Sequence, residues 1–354
     1  MQPYTHLLKE IGQIARGARA SRDLEIGAAR QLFGAMLDGG VPELELGAIV
    51  IALRMKTESV TELIGFHDAV AARLVALDAP DPALRPVIIP AYNGARRQAN
   101  LMPLFALLLK RLGLPVLIHG TLESEGRVTS AYILRELGVL PSISALQIQS
   151  ALNGEGIAFA PIGALCPGLA ELLALRARLG VRNSAHTLAK LIDPFAAHSA
   201  LGGLRMLSVT HPAYGDKLRA MFAEGGPQMG MALLMRGTEG EAVANAKRRP
   251  QIDWLQPGSC ETLFEAEQGS IGLLPDLPDE ADAKTTARWI EATLEGAHPI
   301  PSPILNQAAC CVYASGLADD FNQAKAMVAV HARVPQAVTA KSRGARLGPT
   351  QLPV

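Results

Sequence analysis

From Val87 onward, short apolar runs alternate with longer stretches of helical spacing, and this alternation restricts the chain more than any other feature. Val87–Ile89, Pro115–Ile118, Ile157–Ala160, Arg205–Val209 and Met231–Met235 read as strands. Leu101–Leu112 and Ser130–Leu137, the latter stopped by Gly138, read as helices between them. Strand–helix–strand units of this kind stack as crossovers, which yields a mostly parallel sheet covered on both faces. Three late segments, Thr285–Leu294, Ser302–Ser315 and Asp319–Val334, extend the helical cover.

The first 77 residues carry helical signals only. Asp23 can cap a segment with Leu24, Ala28, Leu32, Ala35 and Met36 on one face, ending at Gly39-Gly40. Pro42 precedes a second helix through Met55, with Leu46, Ile49, Val50 and Leu53 at helical spacing. Thr57 or Ser59 can cap a third, running from Thr61 to about Leu77. Asp78–Arg85, with two prolines and no periodicity, reads as a linker. The division is then a helical unit over 1–77, an α/β unit over 78–334 and a basic irregular tail over 335–354, without an internal repeat.

Lys+Arg and Asp+Glu are equal at 33 each, which excludes a uniformly basic nucleic-acid binder. Four cysteines in 354 residues do not make a disulfide framework. No stretch resembles a signal peptide, and the longest apolar run, around Leu101–Leu109, is too short for a bilayer, so a cytoplasmic chain with no membrane partner is expected. His186, His198 and His211 have no metal-site spacing, and the expected metal complement is none. The charge is uneven, however. Pro82–Leu122 holds Arg85, Arg96, Arg97, Lys110 and Arg111 with no acid, and Phe321 to the end holds Lys325, Arg333, Lys341, Arg343 and Arg346 with none. Acids concentrate between Glu261 and Glu295.

Several words of the sequence carry a resemblance. Ala52–Ser59 (ALRMKTES) is similar to the A-L-R-M-K-G-E-T turn of the anthranilate phosphoribosyltransferases, and Ala35–Gly39 to their I-L-D-G turn. Phe159-Ala160-Pro161, Leu175–Arg182 (LRARLGVR) and Asn306–Ala309 match further words in order. The resemblance spans roughly residues 24–335. It implies a small all-helical domain, completed by helices within 164–192, beside a larger α/β domain with a mostly parallel central sheet. It also implies a homodimer formed through the helical domain.

The words that bind substrate in that family are altered here. Its phosphoribosyl-pyrophosphate loop is G-T-G-G-D, where glycines let backbone N–H groups approach phosphate. The equivalent stretch is Pro90-Ala91-Tyr92-Asn93-Gly94, with Gly94 in the acid's place. N-I-S-T becomes Asn100-Leu101-Met102-Pro103, which keeps Asn100 and loses both hydroxyls. K-H-G-N-R becomes Ile118-His119-Gly120-Thr121-Leu122, keeping His119 and Gly120; Arg127, further on, can substitute for the lost arginine after a loop rearrangement. H-G-x-G-L-D-E becomes Arg236–Glu241, with Glu239 and Glu241 separated by Gly240. Arg176 stands where the family places an arginine near anthranilate; the bland alternative is a helix-surface ion pair. His119 is either a catalytic remnant or a strand-end histidine bonded to backbone.

Basic residues are gained at these sites: Arg96-Arg97, Lys247-Arg248-Arg249, and Lys341, Arg343 and Arg346 in the tail. M-R-G-T-E-G-E followed by K-R-R-P resembles the YbiB-type paralogues of anthranilate phosphoribosyltransferase, which implies a nucleic-acid (DNA)-binding dimer with little sequence preference and no cofactor. Phosphate neutralisation by clustered Lys and Arg is the expected chemistry, with Arg96, Arg97, Arg127, Arg236 and Lys247–Arg249 on one sheet edge. The alternatives are solvated surface charges, or a phosphoribosyltransferase using magnesium, held by Glu239 and Glu241, with phosphoribosyl pyrophosphate.

Overall fold

The computed structural model describes residues 7–17, 20–267, 276–278 and 280–332. Its first part is helical: α1 (Leu7–Ile14), α2 (Ile26–Leu37), α3 (Glu43–Lys56) and α4 (Val60–Ala71). Ser59 caps α4 in a reciprocal box with Glu62, the second of the two candidates for that cap. Asp23 does not cap α2, whose N-cap is Glu25 without a side-chain bond. Asp23 instead pairs with Lys56 at 2.5 Å, and Lys56 also reaches the buried Glu62 at 2.7 Å. A charged pair across the layer thus replaces the expected cap.

The remainder alternates as expected and then departs from alternation: β1 (Val87–Ala91), α5 (Met102–Arg111), β2 (Val116–Gly120), α6 (Ser130–Glu136), α7 (Ala145–Glu155), β3 (Ile157–Pro161), α8 (Ile162–Leu165), α9 (Pro167–Leu179), α10 (Ala185–Leu188), β4 (Leu204–Val209), α11 (Pro212–Glu224), β5 (Met231–Arg236), β6 (Ile252–Gln256), β7 (Ser259–Phe264), α12 (Ala283–Leu294), α13 (Ser302–Ala314) and α14 (Phe321–His331). The seven strands lie in the order β3-β2-β1-β4-β5-β6-β7. β1 to β5 are parallel, and β6 and β7 add an antiparallel edge. That edge is absent from the sequence reading, as are α7 and α11.

Successive strand residues face opposite layers. Ile88, Leu117, Leu207 and Leu234 share a core with Phe33, Phe66 and Leu169 of the helical layer. Ile89, Ile118, Met206 and Leu233 join a second core beneath α5, α12 and α13. Helix α9 closes on α2 at Gly168, where a Cβ would lie 2.0 Å from the Leu37 carbonyl oxygen. Among the described residues, no helix is long and apolar enough to cross a membrane.

Candidate functional site

The strand order reverses between β1 and β4, and in open α/β sheets such a reversal leaves a crevice beyond the carboxyl ends. β1 pairs with β4 only at Val87 and Ile88, so the strands part before Pro90. Val87 donates toward the β2 side, to Pro115, so by alternation the nitrogen of Pro90 faces the β4 side, where no ladder remains. A proline is therefore tolerated inside this strand.

The loop after β1 is held by the chain's own carboxylates. Glu241, 1% exposed, accepts through Oε1 from the N–H groups of Asn93 and Gly94, both at 2.8 Å. Its Oε2 accepts from the Ser130 hydroxyl at 3.0 Å, and Ser130 in turn accepts from Asn100 Nδ2. Glu239 accepts from the N–H groups of Arg96 (3.1 Å) and Arg97 (2.9 Å). Both acids are aimed by a tight turn. Thr238 and Glu241 form an antiparallel bridge, with Glu239 (φ 51°) and Gly240 (φ 93°) as its two central residues. Two positive φ values match the primed hairpin turn, and Glu239 adopts one without being glycine. Asn93 fixes the turn by donating to the Gly240 carbonyl at 2.7 Å. Gly94 (φ +64°) has no room for a side chain, since a Cβ would lie 2.7 Å from the Val128 carbonyl oxygen.

His119 lies below this loop, fully buried. Its Nδ1 shares a 2.8 Å hydrogen bond with the Tyr92 hydroxyl, and its Nε2 has no partner among the described residues. It is thus neither bonded to backbone nor open to solvent, and burial pushes its pKa down to about 3, leaving a neutral ring. Gly120 packs so closely on β1 that a Cβ would lie 1.9 Å from the Ala91 carbonyl oxygen.

These residues do not fit magnesium with a diphosphate. Both Glu241 oxygens are engaged by donors, and the two N–H groups that could cradle phosphate point at Glu241. Glu239 accepts from two further N–H groups and faces Arg127 at 3.5 Å. Carboxylates surrounded by donors in this way are arranged as stand-in anions, not as cation ligands. Among the described residues, no group of three His, Cys, Asp or Glu is arranged to hold a metal.

A cavity of about 700 Å³ opens beside the turn, lined by Arg97, Arg236, Arg248 and Arg249 together with Arg219 of α11. Four of the sequence-selected basic residues therefore converge. Arg96 and Lys247 are exposed next to them. Arg97, Arg236 and Arg248 are also exposed or half-buried and have no carboxylate within 4.0 Å among the described residues. Two of the selected arginines are not free. Arg249 pairs with Glu267, and Arg127 faces Glu239 while donating to the Gly94 carbonyl at 3.1 Å. Arg176 lies on α9, outside the cavity, and makes no ion pair among the described residues; the neighbouring Arg178 pairs with Glu43 instead. Lys341, Arg343 and Arg346 lie outside the described residues.

The sequence reading missed Arg219, which pairs with Asp253 at 2.6 Å, because it missed α11 and β6, which carry the two partners. Pro212 at the first turn of α11, with Leu218, Met221 and Phe222 at helical spacing, was the available signal.

Comparison with known proteins gives one family. Residues 11–74 match the glycosyl transferase family helical bundle domain. The uncharacterized protein YbiB of Escherichia coli (strain K12) is 44% identical over 92% of this chain and 98% of its own. Anthranilate phosphoribosyltransferase of Methylocella silvestris is 27% identical over 87% of this chain and 86% of its own. The crystal structure of anthranilate phosphoribosyltransferase from Thermus thermophilus superposes with a TM-score of 0.71 at 20% identity, covering 90% of this chain and 94% of that one.

Proposed function

The chain belongs to the family of Escherichia coli YbiB, on an anthranilate phosphoribosyltransferase-like scaffold, and from that premise we propose that it binds nucleic acid through the phosphate backbone with little sequence preference. One contrast carries the reading. The backbone N–H groups that could hold a substrate diphosphate are filled by Glu239 and Glu241, while Arg97, Arg236 and Arg248 on the same edge lack carboxylate partners among the described residues. Accessible cations on an open edge suit a polyanion that releases counterions on binding.

The transferase reading keeps Asn100, His119 and Gly120 in its favour. It requires Glu241 to leave three donors before a diphosphate enters.

Titration of the protein with single-stranded and duplex oligonucleotides across salt concentrations tests the proposal. If about six phosphates are neutralised, log K falls against log salt with a slope of about −4 to −5. Replacing Lys247, Arg248 and Arg249 with Ala lowers the slope by about two to three units, equally for unrelated sequences. An affinity indifferent to salt, together with turnover of phosphoribosyl pyrophosphate and anthranilate, would instead establish the enzyme.

A homodimer is part of the same reading, with one revision of the face involved. Ile49, Val50 and Leu53 are buried within the helical layer, whereas Leu44, Ile51 and Met55 of α3 are exposed, Leu44 at 83% and Met55 at 78%. This stripe is the apolar surface we assign to the second copy. Light scattering at micromolar concentration should give twice the chain mass, reduced to one by Ile51→Lys with Met55→Lys; a single-chain mass for the unaltered protein removes the dimer.

A further inference from the structure

The arginines of the 700 Å³ cavity are not equivalent. Arg97, Arg236 and Arg248 have no carboxylate within 4.0 Å among the described residues, and Arg249 has Glu267. Arg219 has two. Its Nε and Nη2 donate to Asp253 Oδ2 at 3.0 and 2.6 Å, and its Nη1 donates to Asp216 Oδ1 at 3.0 Å. Asp253 is buried and is itself fixed, since its Oδ1 accepts from Gln251 Nε2 at 2.7 Å and from the Thr262 hydroxyl at 2.8 Å. Gly215, one turn earlier on α11, leaves room for the guanidinium; a Cβ there would lie 3.3 Å from Nη1.

A guanidinium held in this way is a poor phosphate ligand. Three of its five N–H donors are occupied, and the two carboxylates beside it repel an anion. Its planar face takes no part in these bonds, and the side chain is 37% exposed where it lines the cavity. An immobile guanidinium plane is a stacking surface for a flat π-system.

The rest of the wall fits a nucleobase. Val209, Leu234, Met235 and Pro250 are apolar, and no Phe, Tyr or Trp competes for the stacking role among the described lining residues. Amide side chains supply hydrogen bonds. Asn245 Oδ1 accepts from the Lys247 N–H, which leaves Nδ2 as a donor; Gln251 gives Nε2 to Asp253, which leaves Oε1 as an acceptor; Gln98 carries both kinds of group. The volume falls in the range of small-molecule sites. Every base has a π-face, so stacking of this kind selects no one sequence.

We propose that the cavity takes one unpaired base of a bound single strand, its ring stacked on Arg219 and its edge met by Gln98, Asn245 and Gln251, while Arg97, Arg236 and Arg248 hold the flanking phosphates. The inference rests on the nucleic-acid reading and narrows its ligand to strands with unpaired bases; a duplex has to extrude a base before it can occupy the cavity.

The probes are a mixed-sequence single-stranded oligonucleotide and an abasic strand of the same length, which has the phosphates without the bases. Anisotropy titration of the whole protein across salt concentrations should show the base-bearing strand bound about fivefold or more tighter, with the same salt slope for both, because the phosphates are the same. Arg219→Lys keeps a cation for Asp253 and removes the plane, so it should bring the base-bearing strand down to the level of the abasic one. Equal affinity of the unaltered protein for the two strands overturns the base site and leaves phosphate binding in place; this comparison needs no variant. A full difference that survives in Arg219→Lys overturns the stacking role of Arg219. Binding of neither strand removes the nucleic-acid reading itself, and the base site with it.

Discussion

The turn at Thr238–Glu241 and the rim of the 700 Å³ cavity stand side by side on one sheet edge, and they treat charge in opposite ways. At the turn each acid is surrounded by donors: Glu241 by two N–H groups and a hydroxyl, Glu239 by two N–H groups and, at 3.5 Å, Arg127. At the rim, Arg97, Arg236 and Arg248 have no carboxylate within 4.0 Å among the described residues. A satisfied charge inside a fold is structural, since breaking its bonds strands the partners. An unsatisfied charge at the surface adds little to stability and remains available to a ligand. Glu239 and Glu241 thus organise the loop from which Arg96 and Arg97 project, and under the proposed function the arginines are the groups that would carry the interaction.

Removing Glu241 tests the structural half and has the largest expected effect. Glu241→Ala leaves the N–H groups of Asn93 and Gly94 and the Ser130 hydroxyl without their acceptor in a buried site. At about 1–3 kcal/mol per stranded donor, and with single substitutions rarely exceeding about 4–5 kcal/mol, the loss of stability is about 3–5 kcal/mol in urea unfolding, the low end of the sum for three donors. Glu241→Gln keeps an acceptor for the two N–H groups and should lose about 1–2 kcal/mol. A loss under about 1 kcal/mol for the alanine variant would show that the loop stands without its carboxylate.

The distinction between these regions was only half legible in the sequence. Residue type and topology sufficed to gather Arg97, Arg236, Arg248 and Arg249, because loops after parallel strands share an edge. The role of Glu241 was not legible, since its acceptor function depends on N–H groups 147 and 148 residues away. The spacing of Glu239 and Glu241 by one glycine reads as a damaged metal motif until the turn geometry is known. For the fold, each parallel strand is a near-continuous apolar run and was found. β7 is mostly exposed and has no such run, so it was missed with its partner β6, although Pro257-Gly258 between them is a turn signal. Asp23 illustrates the same limit at a helix start: the residue type suits a cap, and the tertiary pairing with Lys56 decides otherwise.

Glu239 tests the boundary between the two regions, with the smallest expected effect. Its side chain is 15% exposed, and it lines the 700 Å³ cavity beside Arg97, so its negative charge opposes an incoming phosphate. Glu239→Gln keeps an oxygen acceptor for one of the two N–H groups of Arg96 and Arg97, which bond different carboxylate oxygens; both residues are exposed, so water can serve the other and stability should fall by no more than about 1 kcal/mol. Arg127 meanwhile loses its nearby carboxylate and becomes available to the polyanion. Nucleic-acid affinity at low salt should rise about two- to fivefold, the scale of a partly exposed charge pair. Screening should erase the gain near 1 M salt, where the Debye length is about 3 Å. If the affinity does not move while Arg97→Ala weakens it, Arg127 belongs to the turn and not to the rim, and the boundary between the two regions runs between Arg97 and Arg127.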